Sequence, residues 1–256
     1  MSDELDILVI EDELVVQEAA DRVLRLEGLG VDRAMDSESA VDMVRRNEYK
    51  VILSDLMLPG ASGFDIIELI NTTRPATQVI VITGYATLEN AVRSFQLGVF
   101  DFIPKPFDFG ELLGVVRRAL RYHDLALAGS VPSPLQAEPT QELYALGQHT
   151  WALLDPEGSA TLGVAETFPN QMGEVNSVEL PDIDGYTTQG RCFVRIHSAD
   201  AAVYRVLAPL SGQIMALNLR IREESELLSS DPYGDGWLVR IIPENLEEEL
   251  CNLTHR

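Results

Sequence analysis

The stretch Val51-Ile52-Leu53-Ser54-Asp55-Leu56-Met57-Leu58-Pro59-Gly60 starts as an apolar run, reaches a carboxylate at Asp55 and breaks at Pro59-Gly60. A short apolar run bounded by turn residues predicts a strand buried on both faces. The Pro-Gly pair predicts a loop after it. A carboxylate at the carboxyl end of such a strand does nothing for packing. In an open parallel sheet, that end is where ligands bind. Asp55 is therefore the first candidate for chemistry.

Working outward, residues 5–10 are an apolar strand interrupted only by Asp6, and they run directly into Glu11-Asp12-Glu13. Helical spacing begins at Leu14, with Val15, Ala19, Val23, Leu24 and Leu26 on one expected face and Gly28 and Gly30 as the stop. Residues 31–34 read as a short strand, and Asp36 or Ser37 caps a helix that runs through Arg45. After Asp55, Ser62-Gly63 opens a helix over residues 64–70. Residues 78–83 form a strand ending at Thr83-Gly84, and a helix over 87–97 is closed by Gly98. Residues 101–103 make a fifth strand before Pro104-Lys105-Pro106, and an amphipathic helix runs from residue 109 to beyond Tyr122. Strand and helix alternate five times, which predicts a doubly wound α/β domain on a five-stranded parallel sheet.

In such a sheet the strand ends share one edge, so Glu11, Asp12, Asp55, Thr83 and Lys105 are expected to meet. Three carboxylates in one place repel unless a cation offsets them. Oxygen donors in small number suit Mg²⁺, which keeps several waters. An aspartate beside that ion can attack a phosphoryl group and hold it as an acyl phosphate. Lys105 and the ion would offset charge on the phosphoryl oxygens, and the Thr83 hydroxyl would hydrogen-bond one of them.

The segments Ile10-Glu11-Asp12-Glu13, Asp55-Leu56-Met57-Leu58-Pro59-Gly60, Thr83-Gly84-Tyr85-Ala86 and Pro104-Lys105-Pro106-Phe107 occur in order, each at a strand end. On these segments, residues 4–124 resemble the receiver domain of two-component response regulators, a flavodoxin-like fold. The resemblance implies Asp55 as the phosphoacceptor for a sensor histidine kinase. It implies Mg²⁺ held by Asp12, Asp55 and the Met57 backbone carbonyl, with Glu11 acting through water. It also implies Thr83 and Phe102 as a switch pair, and a homodimer through the receiver as one outcome of switching.

The formal charge of the 256 residues is -22. It is spread over both halves, with 22 acids against 12 bases in residues 1–130 and 19 against 7 in the rest. Neither half offers the basic face that nucleic acid requires. No apolar run is long enough to span a membrane, and the acidic start Met1-Ser2-Asp3-Glu4 does not read as a signal peptide. Cys192 and Cys251 suggest neither a disulfide framework nor a zinc site, and a cytoplasmic location is expected. Only two lysines occur, Lys50 and Lys105.

Residues 126–142 hold Pro132, Pro134 and Pro139 and read as a stiffened linker between a domain over 1–125 and another over 143–256. In the second half, apolar runs at 151–154, 160–164, 175–180, 192–196, 204–208, 213–217 and 237–242 alternate with turns, as in an all-β sandwich or barrel. Residues 243–250 read as a terminal helix with Glu244, Glu247, Glu248 and Glu249 on its solvated side. His149 is expected to be packed, and His123, on the last helix of the first domain, to be solvated.

The segments His149-Thr150-Trp151, Gly173-Glu174-Val175, Val178-Glu179-Leu180-Pro181, Ala208-Pro209-Leu210-Ser211-Gly212 and Asp231-Pro232-Tyr233-Gly234-Asp235-Gly236-Trp237-Leu238 are similar to the glycine cleavage H-protein, a lipoyl carrier. That family carries lipoate on a lysine in a hairpin before the Ala-Pro-x-Ser-Gly segment. Here the equivalent position is Ala201, and no lysine follows Lys105. Arginine is no substitute, because its guanidinium stays protonated. The second domain is therefore expected to carry no lipoate, to have no enzymatic activity of its own, and to dock an unidentified protein partner. Two other readings are a phosphorylation-controlled regulator docking on lipoate or glycine-cleavage enzymes, and a passive scaffold dimerised through the receiver.

Overall fold

The structure, a computed structural model, describes residues 6–127, 142–166, 168, 172, 174–199 and 202–255. The chain divides into two compact units, Met1–Ser130 and Val131–Arg256. Among the described residues, no helix is long and apolar enough to cross a membrane.

In the first unit, strands β1 (Ile7–Ile10), β2 (Val31–Ala34), β3 (Val51–Ser54), β4 (Gln78–Thr83) and β5 (Asp101–Pro104) alternate with helices α1 (Leu14–Leu26), α2 (Ser37–Arg46), α3 (Gly63–Thr73), α4 (Leu88–Gln96) and α5 (Phe109–Leu127). The strands form one sheet in the order β2-β1-β3-β4-β5, parallel at each of its four pairings. This is the expected doubly wound fold. Strands β1, β3 and β4 are buried at every position, so helices cover both faces and the strands read as unbroken apolar runs. Four helices start at side-chain caps: Asp36 accepts from the Ser39 N–H, Ser62 from that of Phe64, Thr87 from that of Asn90 and Asp108 from that of Glu111.

Two expectations for this unit are corrected. Helix α1 buries Leu24 as expected, but with Gln17 and Ala20 beside it, while Val15 and Leu26 lie exposed. The side-chain amide of Gln17 donates to the carbonyls of Glu11 and Ala34, at 3.0 and 2.8 Å, and this polar clamp fixes the rotation of the helix. His123 is buried rather than solvated, with Nδ1 2.7 Å from the Ala76 carbonyl oxygen, because α5 runs on to Leu127 and packs its last turns against the loop before β4.

The second unit holds β6 (Glu142–Leu146), β7 (Thr150–Leu154), β8 (Ala160–Val164), β9 (Val175–Glu179), β10 (Tyr186–Thr187), β11 (Cys192–Ser198), β12 (Val203–Leu207), β13 (Gly212–Leu217), β14 (Val239–Pro243) and β15 (Thr254–His255). They form two antiparallel sheets, β10-β13-β14-β8-β7-β6-β15 and β12-β11-β9. One apolar cluster joins them: Leu162, Ile214 and Ile241 from the first meet Val178, Val194, Ile196 and Val206 from the second. Residues alternate between buried and exposed along β13 and β14, as a sheet with one solvated face requires.

Strands β6, β10 and β15 were not expected. The last two are two residues long and carry no periodicity to read. The Pro-rich segment lies almost wholly outside the described residues. At its edges, α5 reaches Leu127 and β6 begins at Glu142. Glu249 is corrected as well: it is buried, and its Oε2 accepts the Ser211 backbone N–H at 2.7 Å. The Gln189 side-chain amide donates to the Glu249 carbonyl at 3.0 Å, so the terminal helix Leu246–Leu250 is held by polar bonds to Ser211 and Gln189.

Candidate functional site

Asp55 follows the last residue of β3. Its N–H donates to the Ile10 carbonyl at 3.0 Å, which sets it level with the end of β1. Its Oδ1 accepts the Met57 N–H at 3.1 Å, so the carboxylate braces the loop that carries Met57. The same loop is tied from below. The Ser37 hydroxyl donates to the Pro59 carbonyl and accepts from the Ala61 N–H, and Gly60 at φ +100° makes the turn that a side chain would strain.

β1 ends in a second buried carboxylate. Glu11 donates its N–H to Ala34 and accepts the Glu13 N–H on Oε1 at 3.1 Å. Asp12 and Glu13 follow, both exposed. One carboxylate oxygen from each of Glu11, Asp12 and Asp55 lies within 4.8 Å of the others.

Lys105 reaches into this group from the end of β5. Its N–H donates to the Thr83 carbonyl at 2.8 Å, which locks the backbone between β4 and β5. Its Nζ lies 2.6 Å from Glu11, 2.8 Å from Asp55 and 3.0 Å from Glu13. Burial works to lower the lysine's pKa, but hydrogen bonds to Asp55, Glu11 and Glu13 outweigh it and hold the ammonium above its ordinary value. Burial likewise pushes the Glu11 carboxyl up, and the neighbouring Asp55 adds to this, against the hydrogen bonds from Lys105 and the Glu13 N–H.

Thr83 is fully buried at the end of β4, where its Oγ1 accepts the Tyr85 N–H at 3.2 Å. Phe102 is buried in β5, opposite Val81 of β4. The structure thus brings Glu11, Asp12, Asp55 and Lys105 together, and places Thr83 and Phe102 on strands β4 and β5. It adds Glu13, a third carboxylate on Lys105, and Gln17, which anchors the β1–α1 turn. Glu13 was visible as the third acid of a run. Gln17 gave no signal, because a lone amide on a helix has no pattern to distinguish it.

Comparison with known proteins agrees with this architecture. Residues 7–117 match the response regulator receiver domain, and residues 143–256 match the glycine cleavage H-protein. The second half is 34% identical over 107 residues to the glycine cleavage system H protein of Psychrobacter sp. (strain PRwf-1), covering 84% of that protein and 42% of this chain. Through its second half the chain belongs to the glycine cleavage H-protein family.

The receiver half is 33% identical over 117 residues to the probable transcriptional regulatory protein SilR of Salmonella typhimurium. That match takes in 46% of this chain and 51% of SilR, so the chain spans about half of that relative. A solved CheY-like receiver domain protein from Methanospirillum hungatei JF-1 is 27% identical, with 48% of this chain and 98% of that one covered and a TM-score of 0.46.

In the H-protein half, β11 and β12 form a hairpin in which Ile196 pairs with Tyr204 and His197 with Val203. The Ser198 N–H donates to the Ala202 carbonyl at 3.0 Å and closes its turn. Ala201, where the lipoyl lysine was expected to fall, and its neighbour Asp200 lie outside the described residues. His149 is packed as expected, edge-on to Phe168 with ring centroids 5.7 Å apart.

Proposed function

We propose that this chain is a two-component response regulator in which Asp55 accepts a phosphoryl group from a sensor histidine kinase, and in which the H-protein half is a non-lipoylated output that docks a protein partner. The observation that carries the first part is the Lys105 ammonium lying within 2.8 Å of the Asp55 carboxylate, among acids that converge within 4.8 Å. The donor set is all hard oxygen and fits Mg²⁺, with Asp12, Asp55 and the Met57 carbonyl as ligands and Glu11 acting through water. Bound there, the ion would neutralise charge on the incoming phosphoryl oxygens.

The chain's own groups do the rest. An Asp55 carboxylate oxygen forms the bond to phosphorus as the bond from the kinase's histidine nitrogen breaks. Lys105 Nζ and the Thr83 hydroxyl hold the phosphoryl oxygens as that transfer occurs. Thr83 then gives up its present bond to the Tyr85 N–H, and the ring of Phe102, two strand positions from Pro104, senses the change. Added charge at this edge biases a two-state switch.

Incubation with a small phosphodonor and Mg²⁺ should add a single phosphoryl group to the intact mass. Asp55→Ala, or removal of Mg²⁺ by a chelator, should prevent it. Phosphoryl uptake by Asp55→Ala at the wild-type rate would overturn the assignment. Co-expression with a lipoate ligase should leave no lipoyl mass on the chain, since no lysine follows Lys105. A lipoyl adduct located in residues 143–256 would refute the reading of the second half.

The similarity to an H protein over 84% of its length favours one second reading. In it, the partner is an enzyme that recognises the H-protein surface without its lipoyl arm. Retention of a glycine decarboxylase subunit in a pull-down would identify that class of partner, and its dependence on beryllofluoride would show control by the receiver.

A further inference from the structure

A cleft of about 570 Å³ opens at the amino-terminal edge of the receiver sheet, the edge opposite Asp55. It lies between the residues leading into β3 and β4 and the last turns of α5, and its walls include Tyr49, Lys50, Arg74, Pro75, His123 and Leu127. Its size is that of a small-molecule site.

Cations converge there in a chain that has few. Lys50 is one of two lysines in the sequence, and the other serves the Asp55 site. Lys50 pairs with Asp6 at 2.8 Å, with a third of its side chain open to solvent. Arg74 is held loosely: its guanidinium is 3.6 Å from the exposed Glu48 carboxylate and 3.4 Å from the Arg45 carbonyl. Its Nε is buried and has no hydrogen-bond partner among the described residues. A buried donor left in that state costs roughly 1–3 kcal/mol, and native structures rarely leave one without a reason.

His123 adds a third polar group. Its Nδ1, 2.7 Å from a carbonyl oxygen, carries the ring proton, which leaves Nε2 as the remaining polar atom of the imidazole. Pro75, Leu127 and the Tyr49 ring supply apolar wall between these groups. A few convergent polar groups on an apolar lining is the composition of a ligand site.

We propose that this cleft binds a small organic anion, a carboxylate or phosphate monoester on an apolar or aromatic body. Its head lies at Arg74 and Lys50, and its body lies against Pro75 and Leu127. Such a ligand joins the end of α5 to the α3–β4 loop. The site is independent of Asp55 chemistry and stands whether or not Asp55 is phosphorylated.

The test is a titration of the full chain with phenyl phosphate and, separately, benzoate, followed through the imidazole proton resonances of its four histidines. The His123 signal is assigned by its loss in His123→Gln. That signal should shift saturably with at least one of the two probes, and the tighter one identifies the head group. Arg74→Gln and Lys50→Gln should each weaken binding about tenfold, the equivalent of one charge-assisted hydrogen bond. A retained cooperative unfolding transition of the receiver unit in calorimetry reports that these variants are folded, since the other three histidines all lie in the second unit. Inorganic phosphate and phenol should each bind at least about tenfold more weakly than phenyl phosphate, since each supplies only half of the recognition. No saturable shift of His123 with either probe, wild-type affinity in both charge variants, or inorganic phosphate binding as tightly as phenyl phosphate would each overturn the proposal.

Discussion

In Lys105→Ala without divalent ion, the receiver unit should lose about 3–5 kcal/mol of stability, the usual result of leaving a buried charge without its partner. Lys105 is the cation shared by Glu11, Asp55 and Glu13, and the first two of these side chains are almost fully buried. Removing it leaves two buried carboxylates facing each other and the exposed Asp12. Protonation of Glu11, already pushed up by burial, relieves part of the repulsion.

Mg²⁺ should relieve more. The variant's unfolding midpoint should rise steeply with Mg²⁺ as the ion binds the folded form alone, whereas the wild type, partly neutralised by Lys105, should respond less. Calorimetry, in which the two units can unfold as separate transitions, is the measurement. A variant midpoint equal to the wild type's and indifferent to Mg²⁺ would show that these groups do not share a charge-balanced site. Phosphoryl uptake by the variant should also fall sharply, since the ammonium nearest the acceptor is gone.

The second large effect belongs to the other unit. Trp151 is fully buried, its indole N–H donates to the Val164 carbonyl at 2.9 Å, and its ring lies 5.5 Å from that of Tyr233. Across the β7–β8 ladder it faces Gly163. A Cβ at Gly163 would stand 2.4 Å from Cζ2 and 2.6 Å from Cε2 of the ring. The ring is fixed by its hydrogen bond and by Tyr233, so it has nowhere to retreat.

Gly163→Ala should therefore cost about 1–3 kcal/mol through overpacking, although alanine normally improves a strand glycine. Trp151→Ala should cost about 3–5 kcal/mol through the cavity it leaves. In the double variant the clash has gone with the ring, so the combined loss should fall short of the sum. Strict additivity would show that the close approach has no energetic weight. Neither change should affect phosphoryl uptake at Asp55, which lies in the other unit.

The receiver fold was legible because its strands are short, apolar and ended by polar residues, and because four of its five helices start at capping side chains. The carboxylates, the threonine and the lysine all stood at strand ends, so a parallel sheet had to bring them to one edge. The H-protein fold was legible from turn spacing and from long segments such as Asp231–Leu238. Its two-residue strands β10 and β15 were not, since two residues have no period.

Errors arose where a side chain's surroundings come from distant parts of the chain. Helix α1 offered an apolar face through Val15 and Leu26, but Gln17 turned a different face inward by bonding to the ends of β1 and β2. His123 and Glu249 looked like surface groups on amphipathic helices. They are buried because Ala76 and Ser211, distant in sequence, supply their hydrogen bonds.

By itself, the sequence determined which groups could react and that no lysine follows Lys105, since residue type and strand-end position are local properties. Only the tertiary structure decided that Lys105 is shared among three acids, that Gly163 exists for Trp151, and that Lys50, Arg74 and His123 border one cleft. Each of those depends on distances between residues far apart in the chain, and only packing sets them.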